Sequence, residues 1–99
     1  MELKGVLKMS EFWVENVSGP VLLAMYKEMK QGVRFDNFWN DIWRKSLSIL
    51  RKHYIKEYCL TRQDACKMVH QLFLENNHNE LDYIIRKEIR TWQKSKLMV

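Results

Sequence analysis

The residues that could catalyse a reaction or bind a metal in this chain are few. The candidate metal ligands are Cys59, Cys66, His70 and His78, all in the second half of the chain. Cys66 and His70 are four positions apart, so a helix would place both on one side. The other intervals do not match the ligand spacing of structural zinc sites. The sequence therefore predicts no metal site.

Signatures of catalysis are also missing from the sequence. Catalysis needs a nucleophile, a base and an orienting group brought together. No nucleophile elbow, glycine-rich phosphate loop or paired-carboxylate pattern occurs. A chain of 99 residues offers one domain with a modest core and little room for a cleft. We expect a protein that is not an enzyme and has no intrinsic cofactor.

The basic residues carry a clearer functional signal. The net charge is +5 and the pI is about 9.3. No acidic residue occurs from Trp43 to Ile55. On a helical wheel the basic residues of this region lie opposite the apolar ones, and they are Arg44, Lys45, Arg51, Lys52 and Lys56. Two interpretations stay open: a solvated helix face, or a docking surface for an acidic partner, which includes acidic proteins, nucleic acids and anionic lipids.

Four amphipathic helices must position these residues. Gly (3) and Pro (1) are too scarce for a turn-rich β fold, and the apolar residues recur with a helical period. We predict helices at about 20–31, 37–58, 62–75 and 80–95. The expected N-terminal caps are Ser18, Asp36, Thr61 and Asn79. Gly32 is expected to end the first helix in a left-handed conformation.

Each predicted helix has an apolar stripe that should face the core. The first helix contributes Leu22, Met25 and Met29, and the second contributes Trp39, Ile42, Trp43, Ser46, Leu47, Leu50 and Tyr54. The third contributes Ala65, Met68, Val69, Leu72 and Phe73, and the fourth contributes Leu81, Ile84, Ile85, Ile89 and Trp92. The sequence therefore predicts an all-α fold, a small antiparallel three- to four-helix bundle with short loops. Residues 1–99 should form a single domain in which 1–17 are an N-terminal extension with a short helix around Trp13.

Targeting signals are not evident in the sequence. No run of 18 apolar residues occurs, so we expect no transmembrane segment. Two cysteines are too few for a disulfide framework, which favours reduced thiols in a reducing compartment. Neither a secretory signal peptide nor a cleavable mitochondrial presequence is expected. Import through an internal or uncleaved signal stays open.

The stretch from Val21 to Lys27 resembles the start of the LYR family of small, basic, helical mitochondrial proteins. Met25, Tyr26 and Lys27 correspond to the family's Leu-Tyr-Arg or Leu-Tyr-Lys triplet, with Met where Leu is usual. The family's second helix is aromatic and basic and ends in an Arg-Phe-Arg-like element. Residues 50–53, Leu-Arg-Lys-His, stand at a similar distance, with Leu where Phe is usual. The resemblance spans roughly residues 20–90.

This resemblance implies a non-enzymatic accessory or assembly subunit of a mitochondrial respiratory complex. Many family members bind the acyl carrier protein. Its acidic helix meets a basic surface, and its phosphopantetheine-linked acyl group enters the helical bundle, so any such cofactor would be carried by the partner. Together with the basic residues, the resemblance assigns partner binding to Tyr26, Lys27, Arg44, Lys45, Arg51, Lys52 and Lys56.

Two alternative functions stay open at this stage. The first is a basic helical protein, cellular or viral, that binds nucleic acid or a nucleic-acid enzyme. A DNA-reading helix is disfavoured because Asn, Gln and Ser are sparse on the basic face. The second is a membrane-surface module, because Phe12-Trp13-x-Glu15-x-x-Ser18-Gly19 resembles the opening of F-BAR domains. Outside mitochondria, the expected location is the cytoplasm.

Overall fold

A computed structural model describes residues 16–97, and it describes side chains through residue 91. Four helices lie wholly within this range: α1 (Gly19–Lys30), α2 (Asn37–Tyr58), α3 (Arg62–Leu74) and α4 (His78–Leu97). No strand occurs in residues 16–97. The predicted all-α bundle is confirmed. The helix predicted around Trp13 and the side chain of Trp92 lie outside the described residues.

Three of the four predicted N-terminal caps are confirmed. The side-chain oxygens of Ser18, Asp36 and Thr61 each accept the backbone N–H three residues later, at 3.4, 3.0 and 3.1 Å. All three cap residues have extended backbone, as a residue that precedes a helix should. The first three helices therefore begin where short-range chemistry alone places them.

The cap predicted for the last helix was wrong. The helix α4 begins at His78, and the side-chain oxygen of Asn77, rather than that of Asn79, accepts the N–H of Glu80 at 3.3 Å. The reason is the backbone of Asn76, which has a φ of 54°. Asparagine tolerates this left-handed conformation better than most residues, so the chain reverses immediately after α3 and the new helix starts earlier.

The end of α1 follows the predicted glycine cap. Gly32 has a φ of 89°. The N–H of Gly32 donates to the carbonyl of Met29, and the N–H of Val33 donates to that of Glu28, both at 3.0 Å. This pair of hydrogen bonds is the Schellman motif, which satisfies the last carbonyls of a helix.

The core is built mainly by the predicted apolar stripes, with Val17 and Leu23 added, whereas Met29 is only half-buried and is not part of it. Its buried residues are Val17, Leu22, Leu23, Met25, Ile42, Leu50, Tyr54, Ala65, Val69, Leu72, Phe73, Leu81, Ile84, Ile85 and Ile89. Ser46 is also buried, and Trp39, Trp43 and Leu47 pack half-buried against the core. Met68 was wrongly predicted to face inward and is 44% exposed. Helix α3 packs mainly on α2, so it buries only a narrow stripe that excludes this position.

The helices α1 and α4 cross at Gly19, where their backbones are in contact. A Cβ at Gly19 would overlap the carbonyl oxygen of His78 and lie 2.9 Å from the backbone nitrogen of Asp82. The N–H of Gly19 donates to Oδ1 of Asp82 at 3.0 Å, and Arg86 donates to Oδ2 of the same carboxylate at 3.0 Å. This crossing attaches α1 to the rest of the bundle and requires a residue without a side chain.

No helix within residues 16–97 is long and apolar enough to cross a membrane.

We predict that Gly19→Ala lowers the free energy of unfolding by about 3 kcal/mol, because the added methyl group must push two backbones apart. The matched control is Gly32→Ala, where nothing lies within 4 Å of the new Cβ. There the cost should be about 1 kcal/mol, from the left-handed backbone alone. Urea unfolding of both variants measures the difference. Equal losses would contradict the close crossing.

Candidate partner-docking site

The outer surface of α2 displays the basic residues that the sequence singled out. The buried stripe of this helix, Ile42, Ser46, Leu50, His53 and Tyr54, faces the core. On the other side, Arg44, Lys45, Lys52 and Lys56 are exposed and Arg51 is half-buried. We call these five the basic face. A single 22-residue helix therefore positions all of them.

Two residues of the basic face already have carboxylate partners. Arg44 donates to Asp41 at 2.8 Å, and both side chains are well exposed. Such a pair is screened by water and contributes little to stability. Lys56 donates to both oxygens of Glu88 on α4, at 3.0 and 3.2 Å. Lys56 thus holds two helices together and is less available to a partner than its neighbours.

The remaining three basic residues have no such partner. Within the described part of the chain, the side chains of Lys45, Arg51 and Lys52 make no hydrogen bond or ion pair. Lys27, the basic residue of the Met-Tyr-Lys triplet, is also exposed on α1 and unpaired within residues 16–91. These four positions therefore offer positive charge that no carboxylate of the described residues neutralises.

Beneath the basic face, a buried histidine connects α2 to α4. Nδ1 of His53 lies 2.9 Å from Oε2 of Glu88, and the His53 side chain is only 4% exposed. Burial by itself raises the pKa of the Glu88 carboxyl. Hydrogen bonds from His53 and Lys56 outweigh this effect, so the pKa of Glu88 lies below its ordinary value of 4.5.

A second ion pair joins the same two helices and is formed by the chain neighbours of Lys56 and Glu88. Lys87 donates to Glu57 at 3.1 Å. This hydrogen bond lowers the pKa of the Glu57 carboxyl and raises the pKa of the Lys87 ammonium. The pair is solvent-exposed, so its contribution to stability is small.

Potential ligand atoms of His53, Glu57 and Glu88 lie within 4.8 Å of one another, a separation that a metal ion could bridge. Both carboxylates, however, already accept hydrogen bonds from lysines, Lys56 and Lys87. A cation would have to displace two ammonium groups of the same sign. We therefore interpret this cluster as the ion-pair connection between α2 and α4.

The side chains considered for metal binding in the sequence do not form a ligand set. Cys59 and Cys66 are exposed free thiols. The only group of at least three potential ligands within the described residues is the His53 cluster, which contains neither cysteine. The absence of a metal from this protein stays a prediction. Cys66 and His70 instead line a groove together.

This groove lies between α1, α2 and α3 and has a volume of about 220 Å³. We call it the aromatic groove. Its lining residues are Tyr26, Trp43, Leu47, Arg51, Cys66, Val69, His70 and Phe73. No acidic residue is among them, and Arg51 is the only one with a permanent charge. The groove is thus apolar with one cationic edge.

Tyr26 is held in the groove by aromatic contacts. Its ring stacks on Phe73 with centroids 5.1 Å apart and meets His70 edge-on at 6.5 Å. The ammonium of Lys30 lies 4.9 Å from the ring centroid, within cation–π range. The hydroxyl of Tyr26 is buried and has no hydrogen-bond partner.

The structure places five of the seven residues assigned to partner binding on α2, but only two of the seven line the aromatic groove. Tyr26 and Arg51 line the aromatic groove, whereas the other five lie outside its lining. Sequence reasoning missed the groove because its walls come from three helices far apart in the chain. The four-residue interval between Cys66 and His70 was the one local signal that these two side chains share a face.

Comparison with known proteins finds no matching family model, no similar curated protein and no similar solved structure. The LYR-like resemblance stays a prediction on this basis. The F-BAR-like resemblance also stays a prediction, and most of its residues, from Phe12 to Glu15, lie outside the described range.

We predict that Glu88→Gln removes part of the acid sensitivity of the fold. The pKa of Glu88 is lower in the folded state than its ordinary value of 4.5. Its stabilisation is therefore complete above that ordinary value and is lost as pH falls through the folded-state pKa. The stability difference between wild type and variant should shrink as pH falls from about 6 to about 3.

Urea unfolding at several pH values measures this difference. Glu57 has a pKa shift of the same sign, so the variant should keep a shallower acid slope. The control is Glu75→Gln, an exposed carboxylate whose hydrogen bond in the described residues is to the neutral Gln71. If wild type and Glu88→Gln differ by the same amount at every pH, the ion-pair interpretation of Glu88 is wrong.

Proposed function

We propose that this protein is a non-enzymatic helical adaptor that docks an acidic protein partner on the basic face of α2. The observation that carries the proposal is the set of cations without a carboxylate partner within the described residues, Lys45, Arg51 and Lys52. The other two cations of the basic face are paired, but these three leave unneutralised positive charge on one helix that a carboxylate-rich partner surface would complement.

We further propose that the adaptor is an LYR-like accessory or assembly subunit of a mitochondrial respiratory complex. Its acidic partner is then the acyl carrier protein, which would itself carry the acyl-phosphopantetheine group. The placement of Tyr26 and Arg51 on one groove supports this proposal, because they belong to the two separate stretches that resemble the family. Lys27 and Lys52 are exposed next to them in sequence and extend the basic surface.

The chemistry of the basic face favours recognition by several weak contacts. Each exposed ion pair contributes on the order of 0–1 kcal/mol. Complementary charge mainly accelerates encounter and fixes orientation, and salt weakens it because the charges are solvent-exposed. A partner held this way would bind with moderate affinity and be sensitive to ionic strength.

Nucleic acid is a weaker candidate for the same surface. Asp41 and Glu88 already neutralise Arg44 and Lys56 at two points of the basic face. The exposed Asp41 carboxylate would repel the phosphates of a duplex bound along this face. A protein partner can place its own groups around such residues, so the pattern of mixed pairs is better suited to a protein surface.

The test of this proposal is the double variant Lys45→Glu with Lys52→Glu. We expect it to bind purified acyl carrier protein about tenfold more weakly than wild type, because two attractive contacts become repulsive. The matched control is Arg62→Glu with Lys67→Glu, which makes the same change of charge at exposed positions of α3. Isothermal titration calorimetry at low ionic strength measures both affinities, and circular dichroism confirms that each variant folds.

Equal weakening in the two double variants would show that net charge, rather than the basic face, attracts the partner. If wild type does not bind the carrier protein at all, the LYR-like proposal is wrong. A parallel titration with duplex DNA identifies the alternative, since binding through several phosphates weakens steeply as salt rises.

A further inference from the structure

We propose that the aromatic groove is a binding site for a small apolar carboxylate, an acid of one aromatic ring or a branched alkyl group, whose carboxylate pairs with Arg51. This inference concerns the aromatic groove, which shares only Arg51 with the basic face. It does not depend on the adaptor proposal, because it rests on the groove's own volume, walls and unpaired polar groups.

The volume of the groove limits the size of its ligand. The groove measures about 220 Å³. An apolar cavity of about 150 Å³ is sufficient for benzene, so there is room here for one ring and a short polar group. Pockets for drug-sized ligands are larger, at roughly 300–1,000 Å³. A single-ring or similarly sized branched ligand matches the available space.

The walls of the groove favour an apolar ligand body. The ring centroids of Trp43 and Phe73 lie 5.3 Å apart, and the ring of Tyr26 stacks on Phe73 at 5.1 Å. Leu47 and Val69 add aliphatic surface. Aromatic side chains of this kind pack against another ring in offset or edge-on geometry. The ring or branched end of the ligand would occupy this part of the groove.

The charge of the groove favours an anionic ligand. Arg51 is half-buried and makes no ion pair within the described residues. A guanidinium group binds a carboxylate with two parallel hydrogen bonds, which gives both strength and orientation. No Asp or Glu lines the groove to compete for it. One permanent cation in an otherwise apolar lining matches a singly charged carboxylate better than a doubly charged phosphate.

The hydroxyl of Tyr26 is a second, independent indication of a ligand. It is buried and has no hydrogen-bond partner. Buried polar groups without a partner are uncommon and destabilise the protein that contains them. Tyr26 also lines the groove, so a small shift of its ring on ligand binding would let an acceptor oxygen of the ligand satisfy this hydroxyl. A carboxylate supplies such oxygens, whereas a hydrocarbon does not.

The probe for this site is phenylacetate, and its matched control is phenylacetamide, which has nearly the same shape without the charge. We expect phenylacetate to bind about tenfold more tightly, because only the charged form makes the strong pair with Arg51. Titration followed by ¹H–¹⁵N correlation spectra measures both affinities. The largest shift changes should occur at residues lining the groove, including those around Trp43 and Phe73.

Four variants assign the polar contacts. Arg51→Gln should weaken phenylacetate binding about tenfold, and Arg51→Lys should recover part of the loss. Lys52→Gln removes the same charge at the next position, which is exposed and outside the groove, so it should change binding less than about twofold. Tyr26→Phe should leave the free protein at least as stable as wild type and weaken phenylacetate binding about threefold or more.

Three results would contradict this proposal. Equal affinity for phenylacetate and phenylacetamide would overturn the role of Arg51. Equal weakening by Arg51→Gln and Lys52→Gln would show that the anion responds only to net charge. The absence of shift changes at a probe concentration of about 10 mM, tenfold above a Kd of about 1 mM, would overturn the site itself.

Discussion

The arrangement of this bundle depends on the contact between the start of α1 and the first turns of α4. Gly19 lets the two backbones touch, and the carboxylate of Asp82 accepts the N–H of Gly19 at the positive end of the α1 dipole. Helix α1 has no acidic residue in its own first turn, so another helix supplies that negative charge. Because α1 is held here, Tyr26, two turns later, reaches Phe73 of α3 and closes one wall of the aromatic groove.

The charged residues of α2 have two roles. Some pair with residues of α4 and hold the two helices together, and others are exposed on the surface. Near its C-terminal end, Lys56 and Glu57 pair with residues of α4, and the buried His53 contributes to the same connection. Further toward the N-terminus, Lys45 and Lys52 project from the bundle without carboxylate partners in the described residues. The cross-helix pairs fix the orientation of α2 against α4, and this orientation in turn determines which way the unpaired cations face.

Much of this fold could be predicted from local sequence chemistry. The caps at Ser18, Asp36 and Thr61 depend only on residues within one turn, and the buried stripes depend on a period that the sequence displays directly. Two predictions failed where the outcome depends on more distant context. The width of the stripe on α3 depends on how many neighbours that helix has, so Met68 could not be placed. The start of α4 depends on which residue of the turn adopts the left-handed backbone. Asn76 does so, but the three residues after it, Asn77, His78 and Asn79, are also of types common in turns. The groove was inaccessible to sequence reasoning for the same reason, since it exists only after three helices pack.

The left-handed backbone at the end of α2 makes one of the two cysteines of this protein replaceable by glycine. Cys59 adopts a φ of 54°, a conformation that glycine accepts more readily than a residue with a side chain. Replacing this cysteine by glycine should therefore be tolerated by the fold. It would leave Cys66, in the wall of the groove, as the single thiol of the protein. A fluorescent or spin label attached there would report directly on what enters the groove, without further redesign of the protein.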